Sequence, residues 1–171
     1  MNQWIVRIHQ GDERALFYVI ARRCGWLDRA VSHMTHLGGA AATISAGALM
    51  LAAPSASWNA GGRRAAFALA GSHLAVQLLK RSISRGRPQL PVGIQSLVEA
   101  PDRFSFPSGH AAASLSIALG AGLAMPAAAP WLLAVGALVG LSRCYLGVHY
   151  PGDVLAGWML AFSAFAASAW I

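Results

Sequence analysis

Residues 107–171 read PSGHAAASLSIALGAGLAMPAAAPWLLAVGALVGLSRCYLGVHYPGDVLAGWMLAFSAFAASAWI. From Ser108 an alanine-rich apolar run continues to about Met125, where Pro126 and Pro130 bracket a turn, and a second run covers about 127–142. A short connection, Arg143 to Tyr150, leads to Pro151, a residue that suits the first turn of a helix, and a third run continues to Ile171. A bilayer core about 30 Å thick asks for about 20 mostly apolar residues per helical crossing. Three successive runs near that length, with the polar residues gathered at their ends, predict membrane helices.

Working outward, the upstream chain extends this into an all-α integral membrane bundle of about five transmembrane helices. One further span is expected from about His36 to Ala53, ended by Pro54 and the polar stretch Ser55 to Gly62, and another from about Arg64 to Ser82. Residues 83–107, with Arg85, Arg87, Pro88, Pro91, Glu99, Pro101, Asp102, Arg103 and Pro107, have loop composition. Residues 1–35 hold a short apolar stretch, Leu16, Phe17, Val19 and Ile20, among many charges. That pattern is too short to span and predicts one or two amphipathic helices in the interface; the same charges rule out reading it as a signal peptide. The expected organisation is therefore one membrane domain, 1–171, with 1–35 interfacial and 36–171 the transmembrane core.

Composition agrees. Hydrophobic residues make up 56% of the 171 and charged residues 11%, with a mean hydropathy of +0.51, a balance foreign to soluble domains of this size. The net charge of +7 could suggest nucleic acid, but the basic residues interrupt apolar runs and no nucleic-acid motif is present. An anion site, or anionic headgroups, fits better. Cys24 and Cys144 are isolated and suggest neither a disulfide framework nor a zinc site. The chain has six carboxylates, too few near the motifs for a two-metal cage, so no metal and no cofactor are expected.

Consecutive spans alternate direction, and this parity carries a functional signal. Lys80 and Arg87 follow the second span, Ser108 and His110 open the third, Arg143 closes the fourth, and His149 and Asp153 open the fifth. All four clusters therefore meet at one membrane face, with the N-terminus on the same side. A phosphoryl group in transfer spreads negative charge over three oxygens, and its catalysis is mostly positioning plus electrostatic stabilisation. Lys80, Arg87 and Arg143 supply cationic donors, and arginine can bind two oxygens at once. Ser108 stands where an N-cap is expected, so the free N–H groups around Gly109 and the helix dipole point at the same anion. Asp153 lies four residues beyond His149 and can hold its ring by one nitrogen. The competing reading for such cations is interfacial anchoring, which weighs more for Arg81, Arg85 and Arg103.

Lys80 with Arg87-Pro88, then Pro107-Ser108-Gly109-His110, then Ser142-Arg143 with His149 and Asp153, resemble at every signature position the three-part motif of the type 2 phosphatidic acid phosphatase superfamily, the lipid phosphate phosphatases related to vanadium haloperoxidases. The resemblance covers roughly residues 73–160. It implies metal-independent hydrolysis of a lipid phosphate or pyrophosphate through a phosphohistidine, with His149 as nucleophile and His110 protonating the leaving oxygen. Polyprenyl pyrophosphate, a polyprenyl phosphosugar phosphate such as decaprenylphosphoryl phosphoribose phosphate, phosphatidylglycerol phosphate and phosphatidic acid all suit, with the polyprenyl substrates slightly favoured. The rivals are vanadate-dependent halide oxidation and a non-catalytic protein that binds lipid headgroups. Membrane lipids and the substrate are the expected partners, no nucleic acid is expected, and homo-oligomerisation is left open.

The remaining polar residues take structural readings. His9, His33 and His36 are expected at the interface, and His73 and Gln77, on one face with Lys80, are expected to form interhelical hydrogen bonds. Gly136 and Gly140 form a small-xxx-small pair for close helix packing. Orientation sets two signals against each other: the resemblance implies an extracytoplasmic site, whereas Arg7, Arg14, Arg22, Arg23 and Arg29 share its side against the positive-inside rule. Catalytic cations do not belong in that count, and the extracytoplasmic face is the expectation taken forward.

Overall fold

The computed structural model describes residues 3–170. Its α-helices are α1 (Gln3–Ile20), α2 (Gly25–Met34), α3 (Ala40–Ala52), α4 (Ala56–Ile83), α5 (Gly109–Ala124), α6 (Ala129–Tyr145) and α7 (Pro151–Ala167). Short 3-10 turns at Thr35–Gly38, Pro126–Ala128 and Ser168–Trp170 complete them, and no strand forms among the described residues. The all-helical architecture expected from the apolar runs is what the chain adopts.

The helix limits follow local chemistry, with two departures from the sequence reading. Ser108 caps α5 by accepting from the Ala111 N–H, and Pro151 occupies the first turn of α7. The polar stretch Ser55 to Gly62, read as the end of the span from His36, instead begins α4: Ser55 takes the extended N-cap conformation and the helix runs unbroken for 28 residues. Nothing in that stretch opposes a helix once tertiary packing supplies partners, and Gly61 and Gly62 are buried against neighbouring helices. The span expected from His36 starts as a 3-10 turn, and α2 and α3 meet at Gly39 with a bend of 52°.

Among the described residues, Pro126–Tyr145 and Pro151–Trp170 are long and apolar enough to cross a membrane, and the bent pair α2–α3 makes a third if taken as one span. The α5 helix is apolar but only 16 residues long, and α4 carries His73, Gln77, Lys80 and Arg81. The outward surface is what a lipid solvent requires: Ile44, Leu49, Leu74, Leu78, Trp131, Leu155, Met159 and Phe162 are all exposed.

α5 lies at the centre, against α4, α6 and α7. Small residues set the spacing. A Cβ on Gly136 would stand 2.9 Å from Ala118 Cβ of α5, and one on Gly140 would stand 2.6 Å from Trp158 Nε1 of α7. The Gly136–Gly140 pair thus lets α6 approach two different helices. The apolar side of α1 packs on the bundle: Leu16 and Ile20 are buried with Ala111, Cys144, Tyr150 and Val154. Burying those side chains gains packing contacts with the helix ends. This places α1 beside the ends of α6 and α7.

Candidate active site

Four helix ends converge as the parity argument requires. Ser108 donates its N–H to the Asp153 carbonyl at 2.9 Å, tying the start of α5 to the start of α7. The His149 N–H reaches the Arg143 carbonyl at 3.2 Å, and Arg87 Nη1 reaches the Val148 carbonyl at 2.8 Å. Gly147 turns the chain between α6 and His149 with φ of +79°, the left-handed region that favours glycine. A Cβ there would also stand 2.7 Å from Arg23 Nη2.

His149 is buried, and its two ring nitrogens face opposite charges. Nδ1 lies 3.5 Å from Asp153 Oδ2, at the edge of hydrogen-bond range and outside good hydrogen-bond geometry. Nε2 lies 2.9 Å from Arg87 Nη1. A guanidinium can only donate, so Nε2 is the acceptor and carries the free electron pair, which leaves the proton on Nδ1 toward Asp153. Burial pushes the His149 pKa down to about 4, with Arg87 and Arg143 adding to the effect and Asp153 opposing it. The ring is therefore neutral at neutral pH.

Asp153 is fully buried, and each of its oxygens accepts a hydrogen bond. Oδ1 accepts from Arg85 Nη1 at 2.8 Å, and Oδ2 accepts the Tyr150 N–H at 2.9 Å, closing the first turn of α7. Arg85 in turn pairs with Asp12 of α1 at 2.8 Å and stacks over the Tyr150 ring at 4.0 Å. Asp12 also accepts the Gly152 N–H at 2.7 Å. Arg85, which the sequence left between anchor and ligand, is neither: it fixes Asp153. His9, expected at the interface, is exposed and meets Arg85 Nη2 at 3.1 Å.

The cations form the other wall. Lys80, buried near the end of α4, donates to Asp102 Oδ2 at 2.7 Å and to the Phe104 carbonyl at 3.1 Å. Arg87 donates to Asp102 Oδ1 at 3.0 Å. Partial burial works to raise the Asp102 pKa, but Lys80 and Arg87 outweigh it and hold the carboxyl below its ordinary range. Arg143 is buried, with Nη1 on Thr35 Oγ1 at 2.7 Å and Nε without a partner among the described residues. A Cβ added to Gly109 would meet only Val76 Cγ1 at 3.9 Å, so the fold leaves open space beside this helix start. His110 stands on the first turn of α5, facing Gly38 and Gly39, within electrostatic reach of Arg143, His149, His36 and Arg87.

The structure thus assembles Lys80, Arg87, Ser108, Gly109, His110, Arg143, His149 and Asp153 at one end of the bundle. Arg103, by contrast, stacks on Phe104 at 4.6 Å. Three neighbours escaped the sequence reading. Thr35 and Asp12 reach the site only through tertiary packing and left no signal. Asp102 was legible in principle, as one of two carboxylates in a loop joining two basic motifs. His73 and Gln77 correct an expectation: neither makes a side-chain hydrogen bond among the described residues, and His73 faces outward on α4. Among the described residues no group of three or more His, Cys, Asp or Glu is disposed to hold a metal ion, and Cys24 and Cys144 are both free.

A helical membrane protein whose helix ends bring two histidines, a buried carboxylate and three cations together is built like a membrane phosphatase. Residues 61–171 match the PAP2 superfamily, and the chain belongs to that family. It is 41% identical over 154 residues to the decaprenylphosphoryl-5-phosphoribose phosphatase of Mycolicibacterium smegmatis, covering 86% of this chain and 82% of that protein. The crystal structure of the transmembrane PAP2-type phosphatidylglycerolphosphate phosphatase from Bacillus subtilis is similar, with a TM-score of 0.73 and 26% identity over 95% of this chain and 85% of that one. Aquifex aeolicus LpxE shares the fold at a TM-score of 0.80 and 22% identity, over 92% of this chain and 94% of that one. This protein is accordingly a phosphate hydrolase of the membrane.

Proposed function

We propose that this protein removes a terminal phosphate from a lipid-linked phosphate ester in two steps through a phosphohistidine on His149. One observation carries the reading: a buried, neutral His149 is held between Asp153 and Arg87 with its free electron pair turned toward the cations. In the first step His149 Nε2 bonds to phosphorus as the ester P–O bond breaks, and His110, which takes up a proton as the anionic phosphate binds beside it, passes that proton to the leaving lipid oxygen. Asp153, fixed by Arg85 and the Tyr150 N–H, stabilises the Nδ1 proton as the ring gains charge. Lys80, Arg87, Arg143 and the N–H groups that open α5 hold the three phosphoryl oxygens. In the second step His110 takes a proton from the water that attacks phosphorus, the P–N bond breaks, and both histidines are restored.

The substrate class favoured is a polyprenyl phosphosugar phosphate, supported by the similarity to the decaprenylphosphoryl-5-phosphoribose phosphatase over most of both chains. A multi-pass arrangement lets the tail stay in hydrocarbon while the headgroup meets the basic cluster. We place the site on the extracytoplasmic face. Part of the basic charge on its side is consumed by the fold, since Arg23 is bound to the Tyr145 and Gln95 carbonyls and Arg85 to Asp12 and Asp153.

The test is phosphate release by purified protein from a panel of phosphosugar, pyrophosphate and glycerolipid substrates, with and without EDTA. Release that persists in EDTA, is inhibited by orthovanadate and is greatest on the phosphosugar lipid is the expected result. Loss of activity on chelation, restored by Mg²⁺ or Zn²⁺, would overturn the mechanism.

A further inference from the structure

We propose that Asp102 is an internal stand-in for the phosphate: its carboxylate lies between the cradle's cations, sets the cradle's charge, and must be displaced by any phosphate that binds. The inference rests on reading Lys80 and Arg87 as phosphate ligands. Both are tied to the same carboxylate, Lys80 Nζ at 2.7 Å from Oδ2 and Arg87 Nη2 at 3.0 Å from Oδ1. The Phe104 N–H adds a third donor to Oδ1 at 3.1 Å, and Arg87 Nε reaches the Asp102 carbonyl at 3.2 Å. Two oxygens held by a lysine, an arginine and a backbone N–H reproduce the donor set expected around a phosphoryl group.

The partners differ in their freedom to leave. The side chains of Lys80 and Arg87 are 7% and 15% exposed, whereas that of Asp102 is 39% exposed and stands on the loop between α4 and α5. An arriving phosphate can turn the carboxylate out to water, while the two cations stay in place. Without it, two partly desolvated cations would face each other with no counterion, a costly arrangement. Asp102 therefore holds Lys80 and Arg87 together, and it competes with inorganic phosphate, the product, for the same donors. Faster product release at the expense of tight anion binding is the functional consequence.

Removing the carboxylate charge should strengthen anion binding, whereas damage to the site would weaken it, so the sign of the effect decides. The experiment measures inorganic phosphate affinity by calorimetry, and inhibition by orthovanadate, for the full chain in detergent and for Asp102→Asn. The expected result is tighter binding of both anions by about tenfold or more, the scale of one charge-assisted hydrogen bond, with Asp102→Glu close to the parent. Unchanged or weaker binding by a folded Asp102→Asn would overturn the proposal. Should that variant not fold, Asp102→Ser is measured instead, read by the extra thermal stabilisation that phosphate gives it relative to the parent. If the parent protein binds no phosphate at all, the reading of the cradle fails, an outcome distinct from failure of the Asp102 proposal alone.

Discussion

At the scale of single residues, the two histidines are separable by the leaving group. On the proposed mechanism His149 forms the bond to phosphorus whatever departs, so His149→Ala should be nearly inactive on every substrate. The proposed role of His110 is only to protonate the departing oxygen, which matters for a lipid alkoxide and hardly at all for p-nitrophenolate. His110→Ala should lose far more activity toward an alkyl phosphate than toward p-nitrophenyl phosphate, measured in single turnovers with trapping of the acid-labile phosphoprotein. Rescue of His149→Ala by the better leaving group would exchange the two roles. The cradle makes a second contrast. Arg143 is buried with Nε unpartnered among the described residues, whereas Arg103 stacks on Phe104. Arg143→Ala should lower turnover by about 100-fold, the scale for one transition-state donor, and Arg103→Ala much less; similar small losses for both would remove Arg143 from the cradle. The signature residues were legible because their chemistry requires particular side chains at particular spacings. Arg85 was not, because an arginine at the end of a span reads the same whether it reaches water or, as here, a carboxylate on another helix.

At the scale of helices, close approach depends on side chains that are absent. Gly140 lies against the Trp158 indole, so a side chain there must push α6 from α7 or turn the indole out of place. Gly140→Val should destabilise the fold by about 1–3 kcal/mol, the usual cost of overpacking, read as a lower melting temperature in detergent. An unchanged melting temperature would show that this contact has slack. The sequence showed where the apolar runs lie but not which polar stretches join them. Ser55 to Gly62 is polar enough for a loop, yet becomes the first turns of α4 because Gly61 and Gly62 fit against neighbouring backbones. The same limit explains α1: a short amphipathic stretch reads alike whether lipid or protein covers its apolar side.

At the scale of the whole molecule, burying a neutral histidine links stability to pH. The folded pKa of His149, about 4, lies below the ordinary value of 6.5. The unfolded chain then binds more protons in the interval between them. Stability should be full above about pH 6.5 and fall as pH drops toward 4, by up to about 3 kcal/mol for this group. Melting temperatures of the parent and His149→Asn across that window should diverge, with the variant less sensitive to acid; parallel curves would refute the linkage. Orientation is testable with a native residue. Cys24 is exposed in the turn between α1 and α2, and its N–H meets the Tyr145 hydroxyl at the site end, whereas Cys144 is buried. An impermeant maleimide should label Cys24 in intact cells if the site is extracytoplasmic, and label it only after lysis if the site is cytoplasmic.

The sequence by itself determined that the chain is helical and suited to lipid, and that helices of alternating direction would bring four basic or histidine-bearing clusters to one end of the bundle. Hydropathy and direction are properties of segments, so alternation follows from counting. Tertiary structure alone decided that Thr35 holds Arg143, that Arg85 and Asp12 brace Asp153, and that Asp102 lies between Lys80 and Arg87. These contacts join residues far apart in the chain, or on a loop with no periodicity. Their partners are set by how helices pack in space, which the pattern along one chain does not record.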